Sequence, residues 1–189
     1  DKQLMNKEDL DAVVVVTASP DYFLPPTGAV IHGRLALRHE TVCVDITQGC
    51  CGYVMGLIEA FSLLNQPDID KVAVVTGDVL SHKVSERDRN SYPLVGDAAS
   101  ITIIEKSANN RHIYCGVMMD GTKNGALKIP AGGFREPSTA QTAIMEDVGG
   151  GNFRSRDNFV MAGDAVVNFV MEDVTLVYEG LLHLPGMYK

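Results

Sequence analysis

The stretch "DAVVVVTAS", residues 11 to 19, constrains the fold more than any other part of the chain. Four valines in succession leave no polar face on a strand, so the sheet there must be covered on both sides. The segments that follow supply the cover. Strand-like runs recur at "TVCVDI" (41–46), "KVAVVTGDV" (71–79) and "ASITIIEK" (99–106). Between them lie two helical patterns, "AVIHGRLAL" (29–37) and "GYVMGLIEAFSLL", the second with apolar positions 54, 57, 58, 61 and 64 and so apolar on most sides. Strands alternating with helices in this way build an α/β fold around a mostly parallel sheet. The first strand and the first helix are separated by "SPDYFLPPTG", which three prolines hold out of regular structure.

Beyond residue 106 the sequence turns rich in Gly, Pro, Asn and Ser, the composition of loops and hairpins. A last helix is expected from "MAGDAVVNFVMEDVTLVYEGLL", with Asp164 as its N-cap and apolar positions at 166, 170, 174, 177 and 181. This divides the chain into an α/β part over 1–108 and a loop, hairpin and helix part over 109–189.

Composition excludes several function classes. With 46% hydrophobic residues the 189-residue chain can bury a sizeable core. Its net charge of -8 and scattered basic residues argue against nucleic acid or an anionic membrane surface as partner. No run approaches the ~20 apolar residues of a membrane helix, and the polar start "DKQLMNKEDLD" is no signal peptide, so a cytoplasmic location is expected. The four cysteines, Cys43, Cys50, Cys51 and Cys115, form no C-x-x-C pair, and the five histidines form no zinc-binding pair. Free thiols and no metal are the expectation.

Chemistry concentrates where "VDITQGCCG" passes from strand to helix. A thiol at a helix start feels unpaired backbone N–H groups and the positive end of the helix dipole, which favour thiolate and can stabilise an oxyanion. From the residues alone Cys50 and Cys51 stay open to three readings: a nucleophile, small buried hydrophobes, or a vicinal disulfide. Asp97 in "LVGDAAS" reads as a turn residue, Arg87 and Arg89 as a phosphate-binding pair or solvated arginines, and "GGFREP" and "GGGNF" as loops without phosphate-loop spacing.

Together these segments resemble β-ketoacyl-acyl-carrier-protein synthase III, of the thiolase superfamily. The resemblance is carried by "DLDAVVVVTASPDYFLPPTGAVIHGRLAL", "VDITQGCCGYVMGL", "VAVVTGDVLS", "DRNSYPLVGDAASITIIE", "DGTKNGALKIPAGGFREP" and "FVMAGDAVVNF", in that family's order. It implies a thiolase-like fold, part of a layered αβαβα arrangement of two similar halves, here without the first strand and helix of the N-terminal half. It makes Cys50 the nucleophile and its backbone N–H an oxyanion donor, with Cys51 in a small-residue slot. Arg89 matches an arginine near the coenzyme A nucleotide, and Pro25 and Val167 stand where bulkier or aromatic groups shape the acyl pocket. Gln48 replaces a usual alanine.

The implied reaction loads an acyl-CoA primer on Cys50 and condenses it with malonyl-acyl-carrier protein, in a homodimer needing no cofactor beyond those substrates. The family's later His and Asn have no counterpart among these residues, so the chain reads as a central piece of an enzyme about twice as long, unable to condense alone. Two rivals share the fold: an acyltransferase of secondary metabolism and a non-catalytic partner subunit.

Overall fold

The valine run forms an interior strand of a four-stranded sheet. The computed structural model describes residues 5–108 and 113–183. They fall into two contact units, Asp1–Val79 with Asp97–Arg111, and Leu80–Gly96 with His112–Lys189. The segment Leu80–Gly96, written into the first part on sequence grounds, thus clusters with the later part of the chain.

In the first unit the strands are β1 (Ala12–Val16), β2 (Val42–Ile46), β3 (Lys71–Asp78) and β4 (Ala98–Glu105), in the order β2-β1-β3-β4. β1 runs parallel to both neighbours, and β4 closes one side antiparallel to β3. All five β1 residues are buried. Because successive side chains alternate faces, Ala12, Val14 and Val16 join a cluster with Ala60, Leu64, Ile69, Val72 and Val74. Val13 and Val15 join a second cluster with Leu10, Leu37 and Ala73, against which Ile31 and Cys43 pack.

The two helices of this unit are α1 (Thr27–Leu35) and α2 (Gly52–Leu64). On α2, expected to be apolar on most sides, close approach to the sheet selects the buried face. Its buried residues are Gly52, Gly56, Ala60 and Leu64, while Val54 is exposed. A row of small residues at i, i+4 spacing lets the helix backbone lie close on the sheet: a Cβ at Gly56 would come within 2.8 Å of Val16 Cγ2 and 3.0 Å of Val74 Cγ1. Leu57, Ile58 and Phe61 flank this row half-buried.

At the amino ends of the strands, Asp11 ties three segments together. Its Oδ2 accepts the N–H groups of Asp70 and Lys71 at 2.9 and 3.0 Å, and its Oδ1 pairs with Arg38 at 2.7 Å. Burial pushes the Asp11 carboxyl up, but these donors outweigh it and hold it below the usual carboxylate range.

The second unit carries short strands: β5 (Leu127–Lys128) pairs with β8 (Val160–Met161), and β6 (Glu146–Asp147) with β7 (Phe153–Arg154), both antiparallel. The β6–β7 connection needs its glycines, since Gly149, Gly150 and Gly151 all have positive φ (91, 62 and 78°). A helical run follows, α3 (Gly163–Phe169), a π-turn at Val170–Val174 and α4 (Thr175–Leu182). Asp164 is not its N-cap. Ala162 holds that position without a side-chain bond, and Asp164 lies in the first turn, where a carboxylate still suits the helix dipole. No helix among the described residues is long and apolar enough to cross a membrane.

Candidate active site

Cys50 sits just past the carboxyl end of β2 and just before α2, both thiols of the Cys50–Cys51 pair being exposed. The turn that carries them is closed by the Gly52 N–H on the Gly49 carbonyl at 2.7 Å. Gly52 is required there: a Cβ would fall 2.5 Å from Val16 Cγ1. Among the described residues the Cys50 N–H donates to no protein acceptor, so it is available to a ligand oxygen. Cys43, on β2, differs: burial pushes its thiol up, and the charge of Asp45 adds to that.

Two carboxylates, neither singled out as a site residue from the sequence, build the frame around this turn. Asp45 on β2 accepts the Gly28 N–H through both oxygens, at 2.9 and 3.2 Å, and so satisfies the first turn of α1. This fixes the helix that follows the proline loop against the strand that leads to Cys50. Asp78, at the end of β3, gathers the turn after β1. Its Oδ1 accepts the Ala18 N–H at 2.7 Å and the hydroxyls of Thr17 and Ser19 at 3.1 Å each. Ser19 Oγ in turn accepts the Val79 N–H at 2.9 Å. The sequence held one signal for both: a lone acid closing or interrupting an otherwise apolar strand.

Gln48, two residues before Cys50, has a buried side-chain oxygen with no hydrogen-bond partner among the described residues. Pro25 follows a cis peptide from Leu24, in an exposed loop where Tyr22, Phe23 and Leu24 are 60, 72 and 85% accessible. Cys50 and Pro25 belong to the first unit.

Arg89 and Val167 belong to the second. There the segment Arg87–Arg89 is joined to the glycine turn by four contacts. The Arg89 N–H donates to Asn152 Oδ1 at 3.1 Å, and the Phe153 N–H to the Arg87 carbonyl at 3.0 Å. The Arg87 guanidinium stacks 3.8 Å over the Phe153 ring. Fully buried Asp88 pairs with Arg154 at 3.0 Å. The arginine pair read from the sequence therefore divides: Arg87 is held by Phe153, whereas the exposed Arg89 guanidinium forms no ion pair among the described residues. It lies beside Gly150, whose absent Cβ would be 3.6 Å from its Nη2. Val167 is on α3 and 60% exposed. Among the described residues no group of three or more His, Cys, Asp or Glu could hold a metal.

In the first unit, three parallel strands closed by one antiparallel strand, with helices between strands and Cys50 at a strand-to-helix junction, make an α/β fold. Residues 44–121 match the family model for 3-oxoacyl-[acyl-carrier-protein] synthase III. Over the length they share, the chain is similar in sequence and fold to that family, whose fold is thiolase-like. A Campylobacter jejuni protein assigned provisionally to 3-oxoacyl-[acyl-carrier-protein] synthase 3 is 35% identical over 89% of this chain and 47% of its own. The β-ketoacyl-[acyl-carrier-protein] synthase III of Synechocystis is 30% identical over 94% of this chain and 51% of its own. A crystal structure of a 3-oxoacyl-(acyl-carrier-protein) synthase III superposes with a TM-score of 0.91 at 30% identity, covering 98% of this chain and 56% of that one. The synthase from Burkholderia xenovorans gives 0.81 at 28% identity, covering 95% and 50%. The chain thus spans about half the length of the curated relatives it matches.

Proposed function

We propose that the whole protein is a condensing enzyme that initiates fatty acid synthesis, with Cys50 as its acyl carrier. The observation that supports this best is the exposed Cys50 thiol at the β2–α2 junction, inside the segment that matches the family. In the first stage the Cys50 thiolate attacks the thioester carbonyl of an acyl-CoA; the oxyanion accepts the Cys50 N–H, and the CoA thiolate leaves. In the second, malonyl-acyl-carrier protein loses CO₂ and its carbanion attacks the Cys50 thioester. A β-ketoacyl-carrier protein forms and the Cys50 thiolate departs.

Arg89 is the residue we assign to the CoA phosphates, because its guanidinium is exposed beside a glycine turn where backbone can approach a ligand closely. Pro25 and Val167 are assigned to the acyl pocket; both carry less side-chain volume than the family positions they match, which favours a primer longer or more branched than acetyl. The enzyme works as a homodimer. In this reading the division at 108/109 separates the first thiolase-like half from the start of the second.

Peptide-mapped mass spectrometry of the full-length protein after incubation with a panel of acyl-CoAs tests the assignment. An acyl adduct on Cys50 is expected, with larger acyl groups loading at least as well as acetyl. Absence of any cysteine adduct on folded protein would replace this reading with a non-catalytic partner subunit. Strong preference for acetyl-CoA would overturn the pocket assignment alone.

A further inference from the structure

Cys50 and Cys51 are the two central residues of the turn closed between Gly49 and Gly52, and both thiols are exposed. Cys51, with φ -83° and ψ -3°, has the backbone of the third residue of a type I turn, and its side chain makes no capping bond to α2. Neither thiol therefore holds the fold together. The two shoulders of the turn differ. Gly52 is pressed on Val16, fixing the start of the helix, whereas a Cβ at Gly49 would meet only Ala18 Cβ, at 4.0 Å. The upstream shoulder is the less closely packed of the two.

We propose that Cys51 is a resolving thiol for Cys50, making the pair an oxidative modification site that masks the nucleophile reversibly. The proposal rests on the reading of Cys50 as the acyl-accepting thiolate. A low-molecular-weight disulfide, RSSR, is the oxidant. The Cys50 thiolate attacks one of its sulfurs, forming Cys50–S–S–R and expelling RS⁻. Cys51, after losing its proton to solvent, attacks the Cys50 sulfur and expels the second RS⁻. Two protein thiols are oxidised by two electrons, and one RSSR is reduced to two RSH. Neighbouring Cα atoms across a trans peptide are about 3.8 Å apart, closer than disulfides usually span, so the ring is strained and readily reopened by thiol. A strained pair suits a temporary mask, and it keeps Cys50 off the irreversible steps of the oxidation ladder.

The test uses full-length protein treated with oxidised glutathione, then non-reducing peptide mapping, for the natural sequence and Cys51→Ala. In the natural protein the peptide bearing both cysteines should lose two hydrogens and carry no glutathione, and reduced glutathione should restore acyl uptake. In Cys51→Ala, glutathione should stay on Cys50, leaving without added thiol at least ~10-fold more slowly than in the natural protein, because an adjacent thiol acts at millimolar effective concentration or above. A glutathione adduct on Cys50 that is equally long-lived in both proteins would overturn the proposal. Acyl uptake is read separately: an internal disulfide with no acylation of Cys50 by any acyl-CoA would defeat the condensing-enzyme reading and leave the thiol pairing standing.

Discussion

Gly28 donates its backbone N–H to both carboxylate oxygens of Asp45, at 2.9 and 3.2 Å, with no space for a side chain between them. A Cβ at Gly28 would stand 2.5 Å from Asp45 Oδ1. Gly28→Ala should cost ~1–3 kcal/mol by displacing that carboxylate, and Asp45→Ala ~1–2 kcal/mol by stripping the α1 terminus of its acceptor. The two effects should fall short of additive, since each removes the same contact. Denaturant titration of both single variants and the double variant in the full-length protein checks this.

On α2, Gly56→Ala should destabilise by ~1–3 kcal/mol, because its Cβ meets valines of β1 and β3 at 2.8 and 3.0 Å. Val54→Ala, on the exposed side, should change stability by no more than ~0.5 kcal/mol. Thermal melts of the two variants, compared directly, would refute the assignment of the helix face if their order were reversed.

Asp11 gives a pH signature. Its carboxyl is held below the ordinary range by the N–H groups of Asp70 and Lys71 and by Arg38, against the opposing effect of burial. A folded value below the unfolded one means that the stabilisation is fully present above the unfolded pKa of ~3.9 and is lost as pH falls through the folded value. Asp11→Asn should therefore be less stable than the natural protein at neutral pH, by ~1–3 kcal/mol, and the gap should narrow below about pH 4. A gap that is constant with pH would show that ionisation of Asp11 contributes nothing.

Adjacent residues Asp88 and Arg89 should separate stability from binding. Asp88 is fully buried against Arg154, so Asp88→Ala should cost ~3–5 kcal/mol by stranding a guanidinium. Arg89→Ala should leave the melting curve nearly unchanged and raise the KM for acyl-CoA by ~10-fold, the loss of one charge-assisted phosphate contact. Melts alongside acyl-loading kinetics would reject the Arg89 assignment if KM did not move.

Periodicity carried most of the first unit. Five bare apolar residues at 12–16 require cover on both faces of the sheet, and the two core clusters supply it. The position of Cys50 after a strand and before a helix followed from the same pattern. The buried face of α2 did not, because hydrophobicity marks Val54 and Leu57 whereas close approach selects Gly52, Gly56 and Ala60. Asp45 and Asp78 escaped for a related reason: each acts through partners 17 to 61 residues away, and pairings at that distance leave no local spacing to read. Asp164 was misplaced as a cap because a helix start offers two roles to an acid, a side-chain bond or proximity to the dipole, and the residue string does not distinguish them.

The alternation of β1 has a consequence for how such a chain can diverge. The helix that begins at Cys50's turn rests on Val14 and Val16, while Ile31 of α1, downstream of the proline loop, packs with Val13 and Val15. One strand thus separates two sets of side chains that share a backbone but few contacts. Substitutions among Leu10, Val13, Val15 and Ile31 therefore need little compensation among Val14, Val16 and Ala60, so the two faces of β1 can drift at largely independent rates.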